Sequence, residues 1–105
     1  MDIPVVHIQT GKDQVIDSRN ILYIQSEGSQ TLIHTTDQVY RPVVSLRDFA
    51  ALLLPEGFDT LDKSNVTNVD KVKYYDKISK QAYFDKTGKG KYVKVSRRNQ
   101  DKIRD

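Results

Sequence analysis

The chain contains no cysteine, so structural disulfides and cysteine-based zinc sites are excluded. It has no long apolar run: the longest, Phe49–Leu54, is six residues, too short for a membrane-spanning helix. The first residues, MDIPVVHIQTG, lack a basic region leading into a long apolar stretch and do not read as a secretory signal. These absences fit a cytoplasmic protein with no membrane partner. Histidine is scarce as well. His7 and His34 are the only two, on separate stretches, without HExxH or any other metal-ligand spacing. No glycine-rich phosphate loop precedes a helix, since Thr87-Gly88-Lys89-Gly90 lies between two strand-like stretches and reads as a hairpin turn. Asp59 and Asp62 are neighbouring carboxylates, but nothing supplies a nucleophile with a base beside it. No catalysis, cofactor or metal is expected.

Positive charge is also missing from the first two-thirds. Residues 1–70 hold five Lys/Arg against ten Asp/Glu, a net of −5. Residues 71–105 hold twelve Lys/Arg against four Asp, a net of +8. A chain whose positive charge gathers at one end is suited to a polyanion. At 105 residues there is room for one domain, and no internal repeat, low-complexity tract or linker divides residues 1–105.

The pattern along the chain is mainly β. Ile3–Ile8 starts at a proline and suits an edge strand, and Gln14–Ile16 returns after a Thr10–Asp13 turn. Ile21–Ser26, Thr31–Thr35 and Val39–Arg41, joined by short turns, argue for an antiparallel meander, because parallel strands need long crossovers. Ser45–Leu54 is the clearest helix: Ser45 can cap it, and Leu46, Phe49, Ala50 and Leu53 fall on one face. After Pro55-Glu56-Gly57 comes a polar segment in which Asn65, Asn68 and Asp70 suggest turns. Val72–Ile78, Gln81–Asp85 and Tyr92–Val95 read as strands, and Ser96 is placed to cap a short helix from Arg97 to about Arg104. The fold class is therefore mainly β (α+β), with small antiparallel sheets, one central helix and a short C-terminal helix.

Two polar clusters carry chemistry suited to nucleic acid. Lys63, Ser64, Asn65 and Asn68 share one segment, and Arg97, Arg98, Asn99 and Gln100 share the start of the last helix. Arginine can give two hydrogen bonds to guanine, Asn and Gln pair with adenine, and Lys and Ser reach phosphates. The helix start at Ser96 also offers backbone N–H groups to a phosphate. Two cations at a helix N-terminus oppose the macrodipole, which points to a purpose outside folding. The asparagine-rich segment fits plain turn chemistry equally well, and the C-terminal lysines divide between attraction and ordinary solvation.

Taken in order, DSRNILYIQS (17–26), SQTLIHT (29–35), Tyr40, Ser45-Leu46, Leu54-Pro55, Phe58, Lys63-Ser64, Val66, Asn68 and Val95-Ser96-Arg97 resemble a LytTR-type DNA-binding domain. The resemblance runs from about Ile3 to Ile103. It implies an elongated β fold whose loops and turns enter successive major grooves of double-stranded DNA. It also implies paired copies on direct repeats and a role as a bacterial transcription regulator, often as the output half of a response regulator in a two-component system. By position, the DNA-facing candidates are Ser29, Gln30, Lys63, Ser64, Asn65, Arg97 and Arg98, with Lys91 as a general phosphate contact and Asn68 closing a turn. Gln25, Asp62, Lys63 and Thr67 depart from the family pattern. A carboxylate at position 62 facing phosphates would repel DNA, and Lys63 lacks the planar fork of arginine. That departure, with the acidic first two-thirds, supports a competing expectation: a protein-interaction module that keeps the fold and has lost tight DNA binding. With no long exposed apolar stripe to drive pairing, a monomer is expected in solution.

Overall fold

The β-rich stretches of the sequence become ten strands in two antiparallel sheets in the computed structural model, which describes residues 1–103. The first five are β1 (Asp2–His7), β2 (Asp13–Asp17), β3 (Tyr23–Glu27), β4 (Gln30–His34) and β5 (Val39–Pro42). The helix α1 (Leu46–Leu53) follows, then β6 (Phe58–Asp62) and β7 (Asn65–Asn68). These seven strands form one sheet in the order β2-β1-β5-β4-β3-β7-β6. The remaining strands, β8 (Tyr74–Asp76), β9 (Gln81–Tyr83) and β10 (Tyr92–Lys94), form a smaller sheet in the order β10-β9-β8. The chain spans 39 × 27 × 25 Å.

The period-2 alternation of β3 sets the layering. Ile24 and its neighbours Ile33 and Val66 join Phe49 and Leu53 of α1 in one buried cluster with Ile3, Val5 and Phe58. Tyr23, one residue away, faces the other side and packs with Leu22, Leu61, Ala82, Val93 and Val95. The large sheet thus has α1 on one face and the small sheet on the other. Phe49 and Leu53 are 1% and 0% exposed, each worth roughly 1.5–3 kcal/mol of apolar burial. As expected, Ser45 caps α1, its Oγ accepting the Asp48 N–H at 3.2 Å. His34, Tyr23 and Phe84 stack in series, with ring centroids 4.5 and 5.3 Å apart, and tie the two sheets together.

Three expectations need correction. First, β1 is not an edge strand but lies between β2 and β5. The His7 N–H donates to Lys12 across the β1–β2 hairpin, so alternate residues from Pro4 face β5, whose pairing begins only at Val5. The missing N–H of Pro4 therefore leaves no gap in the sheet. Second, the segment read as turns is the β6–β7 hairpin, and β7 is paired on both sides, with β3 and β6. Third, the short C-terminal helix is of 3-10 type and spans Arg97–Lys102, and Arg104, to which it was expected to run, lies outside the described residues.

Candidate nucleic-acid interface

Three turns that are far apart in sequence meet at one end of the large sheet. The β3–β4 hairpin turns on Gly28 and Ser29, where Gly28 has φ +63°, a left-handed conformation that favours glycine at that position. Ser29 and Gln30 are exposed there. Directly beyond the β3–β7 pairing, the Ser26 N–H donates to Ser64 O at 2.9 Å, which sets the β6–β7 turn beside the first. Lys63 is exposed at its tip.

Asp62 brings in the third turn. Its Oδ2 accepts the Ser64 N–H at 3.1 Å and the Ser64 hydroxyl at 2.6 Å, and its Oδ1 accepts the Ser96 hydroxyl at 2.5 Å. The last contact joins residues 34 positions apart. It is reinforced by the Ser96 N–H and the Asn99 side-chain amide, both donating to Leu61 O, at 2.8 and 3.1 Å. Arg97 and Arg98 follow Ser96 directly and are exposed. Among the described residues, Lys63, Arg97 and Arg98 are in no ion pair. The edge thus presents three unpaired cations and the polar tip of a hairpin.

This geometry revises several sequence assignments. Asp62 does not face outward as a source of repulsion, because it is 6% exposed and engaged by three donors. Burial pushes its carboxyl up, but the hydroxyls of Ser64 and Ser96, the Ser64 N–H and the nearby Lys94 ammonium together hold it below the ordinary carboxylate value. Ser96 spends its hydroxyl on Asp62 and does not cap the last helix. That helix is only six residues of 3-10 type, and the Ser96 N–H is already taken, so the phosphate site expected at a helix start lapses. Ser64 is half-buried, with its side chain committed to Asp62.

Asn65 cannot serve as a DNA contact as placed. It is 0% exposed and faces the small sheet, where its Nδ2 donates to Lys94 O at 3.0 Å. Its Oδ1 accepts from the Leu61 N–H at 3.3 Å and the Thr67 hydroxyl at 2.9 Å. Thr67, which departs from the family pattern, therefore completes the partners of a buried amide. Asn68 is buried too, and its Nδ2 donates to Ile21 O at 3.2 Å, so it ties the end of β7 to the entry of β3 rather than closing a turn. Lys91, expected on phosphate, instead donates from Nζ to Thr35 O at 2.8 Å and braces the small sheet against the large one. Burial lowers its pKa, and Asp37 and Glu27 partly restore it.

Nothing in the spacing of Glu27 and His34 marks them as a pair, yet they meet behind the β3–β4 turn. His34 Nε2 lies 2.6 Å from Glu27 Oε2, while Nδ1 is buried without a partner. A neutral ring donating from Nε2 satisfies this arrangement, since a proton on Nδ1 would have no acceptor. Burial lowers the His34 pKa, Glu27 opposes that, and Lys91 adds to the lowering. Among the described residues no group of carboxylates and histidines could hold a metal ion, and no helix is long and apolar enough to cross a membrane.

The architecture defines a class: a mainly β domain of two antiparallel sheets and one α-helix, with polar turns gathered at one end of the larger sheet. A family model described as the LytTr DNA-binding domain matches residues 12–105, nearly the whole chain. The chain belongs to the LytTr DNA-binding domain family. Its fold is also that of a solved Bacillus cereus structure, the LytTr DNA-binding domain of a protein described as a methyl-accepting/DNA response regulator. That match has a TM-score of 0.77 at 20% identity, covering 97% of this chain and 93% of the other. No curated protein sequence matches the chain significantly. The family is one of DNA-binding domains, not of catalysts.

Proposed function

We propose that this chain binds double-stranded DNA sequence-specifically, inserting the turns of its basic edge into the major groove, and that it acts as a bacterial transcription regulator. The observation that carries this reading is the Asp62–Ser96 contact, which sets Lys63 beside Arg97 and Arg98 although the two stretches are far apart in sequence. Arg98 reads a base, with guanine the best partner for its two parallel donors. Arg97 and Lys63 hold phosphates, and Ser29 and Gln30 contact the flank. Residues 1–105 act as one domain, free copies are monomeric, and two copies occupy a direct repeat. The competing reading, a protein-interaction module, drew on Asp62 and on the acidic first two-thirds of the chain, and a carboxylate turned inward removes the first of these two supports.

The test compares two variants on a duplex recovered by selection and on random duplex. Arg98→Ala is expected to lower affinity for the selected duplex by about 1–3 kcal/mol and to flatten the base preference. Lys63→Ala is expected to weaken both duplexes alike and to reduce the salt slope by about one. Equal losses on both duplexes for both variants would remove Arg98 from base reading.

A further inference from the structure

We propose that the outer face of the small sheet is a second contact surface for the DNA phosphate backbone, built from Tyr74, Tyr83, Tyr92, Lys89 and Lys94. This rests on the chain's binding DNA through its basic edge, but not on base reading there.

The three tyrosines are direct cross-strand neighbours, Tyr92 opposite Tyr83 and Tyr83 opposite Tyr74. Their ring centroids are 5.5 and 5.8 Å apart. Alternation places Val93 and Ala82 on the inner face, both fully buried, so the tyrosines occupy the outer one. Packing within the sheet accounts for the ring stack, because aromatic cross-strand pairs stabilise a small sheet. It does not account for the exposure of the two end rings, 42% for Tyr74 and 47% for Tyr92. The planes of neighbouring rings lie at 29° and 46°, so Tyr83 is flanked on both sides, and its hydroxyl donates to Gln81 Oε1 at 2.7 Å. What the row offers a phosphate is therefore the hydroxyls of the two end rings, Tyr74 and Tyr92, with Tyr83 holding them in line.

The charge around the row is one-sided. Between residues 74 and 94 there are six lysines and two aspartates. Both aspartates are spent on their own turns. Asp76 accepts the N–H groups of Ile78 and Ser79, and Asp85 accepts those of Thr87, Gly88 and Gly90 together with the Thr87 hydroxyl. The Asp85 loop is seated against the row at Gly88, where a Cβ would come within 2.9 Å of the Tyr74 ring. The exposed Lys89 follows at once. Lys94 is exposed two residues beyond Tyr92 on the same face of β10, and Ser96 and Arg97 come next. Tyr92 and Lys94 also line one open depression with Gln25 and Glu27, at the base of the β3–β4 turn. The row is thus continuous with the basic edge. Hydroxyl donors among lysines, next to a DNA-binding edge, match phosphate oxygens, whereas an acidic protein has no such continuity to recommend it.

The experiment is an anisotropy titration of random-sequence duplex of about three helical turns across a salt series. Lys89→Gln/Lys94→Gln should reduce the salt slope by about two and lower affinity at low salt. Tyr74→Phe/Tyr92→Phe keeps the ring stack and should bind about three- to tenfold more weakly with an unchanged slope. The charge-matched control Lys12→Gln/Arg41→Gln, at the other side of the large sheet, should change the slope by much less. A lysine variant indistinguishable from that control, or tyrosine variants that bind like the parent, would overturn the proposal. So would the absence of any salt-sensitive binding. If selection enriches no motif while these losses persist, base reading has failed and the second surface stands.

Discussion

Replacing Asp62 with asparagine separates two opposed expectations. If the carboxylate repelled phosphates, neutralising it would tighten DNA binding. Its position argues the reverse, since three donors converge on it and one of them, the Ser96 hydroxyl, fixes the start of Arg97-Arg98. A hydrogen bond to a charged group is worth about 1.5–3 kcal/mol, and one between neutral groups about 0.5–1.5. An amide retains some of these contacts, because serine hydroxyls can accept as well as donate. Asp62→Asn should therefore cost about 2 kcal/mol of stability and Asp62→Ala about 3, a serious fraction of a small domain's total. The folded pKa lies below the ordinary 3.8, so this contribution is whole above about pH 4 and is lost as pH falls through the lower folded value. The parent should show that acid loss, and Asp62→Asn should not. Urea unfolding followed by circular dichroism gives the stabilities, and anisotropy on duplex DNA gives the affinities. Weaker DNA binding by folded Asp62→Asn is expected. Tighter binding with undiminished stability would refute the reasoning.

Three further outcomes follow from the same geometry. Asn65→Ala removes a fully buried amide with three partners and should cost about 2–4 kcal/mol in urea unfolding, any loss of DNA affinity tracking the unfolded fraction. Lys91→Ala should cost about 1 kcal/mol of stability by freeing Thr35 O, and should leave the DNA salt slope nearly unchanged if the ammonium is a brace and not a phosphate contact. His34 has a folded pKa below its ordinary 6.5, so the unfolded chain binds the extra proton first, and stability should fall as pH drops below about 6.5. A His34→Gln variant should lack that fall, which thermal melts from pH 5 to 8, roughly spanning the imidazole range, would reveal.

The parts of this fold that the sequence displays are those governed by local rules. The β3-β4-β5 meander follows from apolar alternation broken by short polar turns, and α1 from its cap and its spacing of Leu46, Phe49, Ala50 and Leu53. The β6–β7 hairpin was hidden because Asn65 and Asn68 are residues of poor strand propensity and the segment around them is polar. They hold a central strand because Asn65 and Asn68 meet Lys94 O and Ile21 O from elsewhere in the chain, with Thr67 completing Asn65, and such distant partners cannot be read locally. The candidate interface divides the same way. Arg97 and Arg98 were visible in the basic end of the chain and Lys63 in its polar cluster, and all three remain exposed. The inward turn of Asp62 and the bracing by Lys91 depend on distances set by the fold, so residue type alone assigned them to the surface.

Selection from a pool of randomised duplexes at two salt concentrations, with the bound fraction sequenced, tests the central claim most directly. Enrichment of a short motif, repeated at about one helical turn and bound more weakly at the higher salt, is the expected result. Salt-sensitive binding without enrichment would contradict sequence-specific reading by Arg98, and no binding at the lower salt would contradict a DNA-binding role for this edge altogether.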